Sequence, residues 1–586
     1  QNTNMGQTAT EILANVPSVS VDIDGNVSLR GSSSFQVLIN GVPSTMDPAD
    51  ALATIPASTI ENIEIITNPS AKYDAEGAVG LINIITKKKK LEGVSLLTNV
   101  DYGTFNNYGG DLAVSIGKED WTLNIGANYN NLRMPRDIKK SWTTDLDTSI
   151  SYVESEGWGG WFNSSYGGNL EFQWNPNASH NLIVAGNYNT RLMRPEYYLT
   201  FSEYTDGVLQ QSNENEQFMV IDIIGYSGNV FYQYNFNRNP DHHLTFKFLS
   251  NQRDVDQLDS TMFYNDGEIV GGTKYTEVGP ADFNRWDLEY KQPFDNSDFE
   301  AGVRVQLGAS GDDGRSYFWN TTTNEFDFSS QFSSVVEYTR DVYAGYAMFN
   351  QKFDKFSYQL GMRGEYTYRT VEAENFPDFA TIRRMDWFPS VHMSWSMNDD
   401  HQFMFNSSRR IQRPRSWYFE PFITWESEFN VRTGNPDLTP EYIYVFELSW
   451  IRSFGNKGFI STEGYYRLNN GLIDRISTAY IDNIVMTRPF NIGQSNSAGV
   501  EVSYQYRFTD WYELNASGNF FYYGVNGDLD NENFDNSSLN GTVRITNTFN
   551  YKNWNFQLLG RYESPTATLQ GTQEGFFVLD ASIRTE

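Results

Sequence analysis

The sequence predicts an all-β, membrane-spanning antiparallel barrel with a small α/β domain at its N-terminus plugging the lumen. Three observations carry this. Residues 91–586 alternate apolar and polar side chains, often in runs longer than ten residues. Short polar turns and longer polar segments take turns along that stretch. Residues 1–90 mix helix and strand signals instead, as a compact domain does.

Composition excludes several classes. The 586-residue chain has no Cys, so it holds neither a disulfide framework nor a thiolate metal site. A net charge of −30 argues against nucleic acid as a partner, since such surfaces are basic. No run approaches the ~20 apolar residues of a transmembrane helix, and the mean hydropathy is −0.53. A soluble acidic protein would fit those values, but 36 Tyr, 41 Phe and 14 Trp would be a surprising load for one. A membrane barrel hides its hydrophobicity because every second residue faces a polar lumen, and it carries aromatic girdles. The N-terminus, QNTNMGQTATEILANVPSVS, has no basic or apolar signal region, which leads us to expect a mature or trimmed chain.

In the first ninety residues, TATEILANVP predicts a short helix capped by Thr8 or Thr10 and ended before Pro17. VSVDIDG and NVSLRG form strands turning at Asp24-Gly25, and SFQVLINGVPS a strand ending at Asn40-Gly41. Asp47 caps a second helix with Pro48 at its first position. Two apolar segments, Ile60–Thr67 and Val79–Thr86, flank a polar turn and read as buried strands. The lysines Lys87–Lys90 mark the exit to the barrel.

ILANVPSVSVD, VSLRG, VLINGVPS and IENIEIITNPSAKYDAEGAVGLINIITKK, in this order, resemble the plug of TonB-dependent outer-membrane receptors, most of all the Bacteroidota-type outer-membrane β-barrel receptors. The match begins partway into such a plug, without its first strand or a TonB box. Domain limits of 1–90 for the plug and 91–586 for the barrel follow.

In the barrel part, WTLNIGANYN sets Trp121, Leu123, Ile125, Ala127 and Tyr129 against polar neighbours. FSYQLGMRGEYTYR sets Phe356, Tyr358, Leu360, Met362, Tyr366 and Tyr368 against Ser357, Gln359, Arg363, Glu365 and Arg369. One face therefore meets an oily medium and the other water. Nine short turns fall at 118–120, 175–179, 239–243, 294–298, 353–356, 397–401, 454–458, 508–511 and 551–554. With two strands per interval they imply about eighteen strands, and the segments after the last turn bring the total to about twenty. The resemblance implies twenty-two strands, so two C-terminal strands are expected beyond this chain. SRRIQRPRSWYFEPF, RTGNPDLTPEYIYVFELSW and NIGQSNSAGVEVSY resemble later segments of the same receptors.

The resemblance implies that plug arginines face barrel glutamates. Arg30 matches the first of these, with Glu447 and Glu501 as its candidate partners. The second plug arginine is absent, because Thr67-Asn68-Pro69 stands in its place. The alternative for these residues is ordinary lumen polarity. Asn68, Pro69, Lys72, Tyr73 and Asp74 are candidates for a gating turn, with a plain structural turn the favoured reading. No catalytic motif, cofactor site or metal site is expected. Of the five histidines, His180, His242, His243 and His401 sit at turns and His392 does not. Acid-rich stretches at 202–222, 254–268 and 526–536 read as extracellular loops.

By resemblance the protein belongs in a Gram-negative outer membrane, importing a scarce or bulky ligand without covalent chemistry. Its partners are then outer-membrane lipid and lipopolysaccharide and the TonB energy-coupling protein acting on a segment outside this chain; a surface lipoprotein or other outer-membrane subunit is a further option, with the chain's length weighing against a lipoprotein lid. Rival readings are a receptor-like barrel serving a membrane assembly structurally, and a passive porin.

Overall fold

The structure, a computed structural model, describes residues 60–66, 68–76, 81–86 and 93–585 with short gaps at 146–149, 375–380, 421, 428–429, 482–483, 530–531 and 569–570, and scattered positions before residue 60. The long sheet curls into a barrel. It runs in chain order from Gly93–Gly103, paired with Asn107–Lys118, round to Phe576–Thr585, paired with Trp554–Glu563. Glu268–Val278 and Ala281–Pro293 both pair with His243–Asn265 and Ser297–Asn320, so they are halves of one strand position broken at Gly279-Pro280. Counted that way, the barrel has twenty strands, the number expected for this chain.

All nine predicted turns lie between paired strands. For example, Ile150–Asn177 hands over to His180–Thr205, and Gln494–Thr509 to Tyr512–Leu529. Outward residues alternate with inward ones, as on Phe576–Thr585, where Phe577, Leu579 and Ile583 are each more than 60% exposed. Apolar exposure on this scale has no place in water and fits a hydrocarbon surround. Rings cluster at the short-turn end, where Trp511, Tyr512 and Phe549 stack, as does Trp395 on Phe403. Among the described residues no helix is long and apolar enough to cross a membrane.

The acid-rich stretches are not open loops. Strands of 25 to 28 residues carry the pairing far past the ~10 residues that cross a bilayer. The predicted loop 202–222 is paired strand on both sides of a tight turn at Asp206-Gly207, both with positive φ, as a type I′ hairpin requires. Outside the bilayer both faces are wet, so the alternation fades while the backbone ladder continues.

Within the plug, Val19–Val21 pairs antiparallel with Val27–Leu29, as expected. Ala9, Leu13 and Leu52 are helical, while the predicted caps Thr8, Thr10 and Asp47 lie outside the described residues. A four-stranded sheet has Leu81–Thr86 between Gln36–Ile39, to which it is parallel, and Ile60–Ile66. Ile60–Ile66 is thus an edge strand, half-buried rather than buried, with Glu61, Asn62 and Glu64 exposed. Leu81, Ile82 and Ile84 are fully buried and centre the core. Ile443 and Val445 of the barrel strand Glu441–Ser453 join that core, so the plug packs on the inner wall through apolar contacts as well as polar ones.

Candidate functional site: the plug–wall clamp

The segment 68–76, between the plug strands Ile60–Ile66 and Leu81–Thr86, is pressed against one side of the barrel wall. The amide of Tyr73 donates to the Ser70 carbonyl at 3.1 Å, which makes the turn. Ala71 packs on Tyr346 and Met348, and Ala75 on Phe388 and Ile411. These small residues let the backbone approach closely: the Ile411 amide donates to the Ala75 carbonyl at 3.0 Å, and Glu76 bridges Ile411 in a parallel sense.

The alternation of the wall strands then determines what the turn meets. Arg285, Asp287 and Glu289 are two residues apart on Ala281–Pro293 and so share the inward face. Arg363, Glu365, Thr367 and Arg369 do the same on Phe356–Ala373. Lys72 Nζ reaches Glu300 Oε1 at 2.7 Å and Glu289 Oε2 at 3.4 Å, while Lys247 holds the other Glu289 oxygen at 2.9 Å. Burial alone would lower the Lys72 pKa, but Glu289 and Glu300 outweigh it and push it up to about 12. The ammonium is therefore locked in its charged form.

Asp74 faces three guanidiniums, Arg304 at 2.6 Å, Arg363 at 3.4 Å and Arg285 at 3.5 Å. Glu76 faces Arg340 at 3.1 Å and Arg413 at 3.3 Å, and Arg410 donates to its backbone carbonyl at 3.2 Å. The wall supplies its own counter-charges: Asp287 takes Arg285 and Arg304, and Glu365 takes Arg363 at 2.5 Å and Arg413 at 2.7 Å. Charge-assisted hydrogen bonds of this kind are strong yet directional, so a small displacement breaks them. Removing one partner of a buried pair costs roughly 3–5 kcal/mol.

The candidate gating turn and the structural turn are thus one element. Lys72 and Asp74 carry its charge contacts, whereas Asn68 and Pro69 are buried at its start. Tyr73 contributes the turn amide, and burial raises the pKa of its phenol. Glu76 and the wall arginines were not picked out from the sequence. The signal was present in charged residues two apart within alternating strands, as in RWDLE and MRGEYTYR. Of the expected latch, Arg30 lies outside the described residues. Glu447 is buried on the inner wall opposite Tyr465, and Glu501 is half-buried in register with Glu463.

The GNPDLTPE segment caps the far end. Asn435 donates to the Pro489 carbonyl at 3.1 Å and accepts from the Asp437 amide at 3.1 Å. Leu438 joins a core with Phe419 and Phe422. Glu441 accepts from the Ile473 amide at 3.0 Å and from Asn469 at 2.5 Å. Nearby, a four-stranded sheet pairs Asn430–Arg432 parallel with residues 485–487. Among the described residues no cluster of His, Cys, Asp and Glu could hold a metal ion.

A twenty-strand barrel with an α/β domain clamped to its inner wall defines a plugged outer-membrane barrel. An outer membrane protein beta-barrel family model matches residues 234–586, and a TonB-dependent Receptor Plug Domain model matches residues 1–81. The chain belongs to the outer membrane protein β-barrel family, as a TonB-dependent receptor with its plug at the N-terminus. Among solved structures, the copper transporter OprC superposes with a TM-score of 0.71 at 13% identity, over 99% of this chain and 88% of that one. The ferric yersiniabactin uptake receptor FyuA from Yersinia pestis gives 0.67 at 15% identity, over 99% and 88%. The ferripyoverdine receptor of the outer membrane of Pseudomonas aeruginosa gives 0.64 at 14% identity, over 100% and 79%. At these identities the likeness carries the fold.

Proposed function

We propose that the protein imports a scarce or bulky extracellular ligand across the outer membrane, driven by TonB, with the turn 68–76 as the element that must leave the wall. The observation that carries this reading is the clamp. Lys72, Asp74 and Glu76 hold the plug through ion pairs with the wall, contacts that are strong in register and lost on a small displacement. A pull on the plug from the periplasm would break these directional bonds in turn and open a path beside the wall. The outer membrane holds no nucleotide, so the work comes from the inner membrane through TonB. Arg30 with Glu447 and Glu501 forms a second hold in this proposal. Lipid and lipopolysaccharide surround the outward face, and a surface lipoprotein or other outer-membrane subunit is a further partner at the capped end. Copper and ferric siderophores, named for the neighbouring structures, are the first ligands to test.

The test is accumulation of the small molecule that co-purifies with the native protein, identified by mass spectrometry. Uptake should require both this protein and TonB. Uptake indifferent to TonB would overturn the reading. Normal growth on every nutrient, with loss of another protein's assembly, would point to the structural role instead.

A further inference from the structure

Asp74 and Glu76 sit in a nest of arginines that outnumbers the wall's own carboxylates. Six guanidiniums converge there: Arg285, Arg304 and Arg363 on Asp74, Arg340 and Arg413 on the Glu76 carboxylate, and Arg410 on its carbonyl. When the turn leaves, Asp287 and Glu365 remain against the six guanidiniums, while the departure of Lys72 leaves Glu289 to Lys247 and Glu300 to the Tyr346 hydroxyl. Arg363 is 1% exposed and its Nη1 has no hydrogen-bond partner even with the plug in place. The plug therefore does not exhaust the donors. A surplus of buried guanidiniums is costly unless an anion replaces the one removed, and it stands out in a chain of net charge −30. Guanidinium forks match the planar oxygens of carboxylates and phosphates.

We propose that this arginine nest is an oxyanion-binding site of the transport path, filled by the Asp74 and Glu76 carboxylates in the closed state and passed to a carboxylate or phosphate group of the ligand when the turn is withdrawn. The inference rests on plug-gated import and adds the chemical class of the cargo, an anionic one. It also gives plug release and ligand passage a common cause, because the incoming anion stabilises the nest that the plug vacates.

The test uses the full chain in detergent, with inorganic phosphate and succinate as separate probes and chloride to match ionic strength. Asp74→Asn with Glu76→Gln keeps the shape of the turn and removes its charge. That variant should bind at least one probe about tenfold or more tightly than wild type, a gain of ~1.4 kcal/mol. Adding Arg304→Met and Arg363→Met should abolish the gain. Equal binding by wild type and the charge-free variant, or a gain that survives loss of the arginines, would overturn the proposal. If the double variant does not assemble, as judged by heat-modifiable migration, Glu76→Gln alone frees Arg340 and Arg413 and reads the same difference. Binding is measured without TonB, so failure here is distinct from TonB-independent uptake, which would sink the import reading instead.

Discussion

Asp74→Asn is the sharpest single perturbation of the clamp. The substitution preserves volume and one acceptor oxygen, but it removes the charge facing Arg304 at 2.6 Å, Arg363 at 3.4 Å and Arg285 at 3.5 Å. Arg304 and Arg285 keep Asp287, and Arg363 keeps Glu365, so the loss is that of one partner in a shared network. Breaking a buried pair in this way costs roughly 3–5 kcal/mol. If the cost falls on local opening of the turn, the open population rises by about two to three and a half orders of magnitude, at ~1.4 kcal/mol per decade. Hydrogen exchange read by mass spectrometry measures it directly. The Ile411 amide is protected by the Ala75 carbonyl and the Ala75 amide faces Glu365, so both exchange only when the turn lifts. Peptides covering 68–76 and 405–412 should accelerate by that factor, while the strand His180–Thr205 on another part of the ring stays unchanged. Acceleration below about threefold, or acceleration spread evenly over the barrel, would refute the clamp as a local latch.

Two further outcomes are expected. Glu420 lies in the connection between the strands His401–Gln412 and Glu441–Ser453, outside the membrane span, and accepts from the Tyr338 hydroxyl at 2.9 Å. Burial pushes its carboxyl up to about 7, against the opposing pull of Arg432 and Tyr338. A raised carboxyl pKa means that its stabilisation of the cap is greatest below the ordinary value of 4.5 and declines as pH rises through about 7. Exchange of peptides 416–440, corrected for intrinsic rate, should therefore quicken between about pH 5 and 8 in wild type and stay level in Glu420→Gln. Leu448, 62% exposed at mid-strand, should tolerate Arg poorly: a cost of about 2–4 kcal/mol in lipid-reconstituted unfolding is expected at the bilayer centre. An effect near zero would contradict the lipid-facing assignment.

The barrel was legible because alternation and turns are local signals. Leu360 and Met362 point outward while Arg363 and Glu365 are buried, as the pattern of FSYQLGMRGEYTYR requires. The far ends of the hairpins were not legible, because pairing between 202–212 and its neighbours needs no oily face to sustain it. The clamp was half legible. Lys72 and Asp74 stood out as charges in a tight turn, but their partners lie more than two hundred residues away, and only the curl of the sheet around the plug brings Arg304 and Arg363 to the same carboxylate. Likewise GNPDLTPE could be recognised without revealing that Asn435 and Glu441 tie the cap to 473–491. The edge position of Ile60–Ile66 escaped because an apolar run does not say how many neighbours a strand has.

The central claim is that residues 68–76 must leave the wall for the ligand to pass. A chain without Cys allows that motion to be blocked by one engineered bridge. A Cβ at Gly361 would stand 2.8 Å from the Ala71 Cβ, so a shift of about an ångström brings Ala71→Cys and Gly361→Cys to the ~3.8 Å spacing of a disulfide. TonB-dependent uptake by cells carrying this pair should stop when the bridge is oxidised and return when it is reduced, whereas uptake by either single variant should not respond to the redox state. Uptake that continues at the wild-type rate with the cross-link complete would contradict the account.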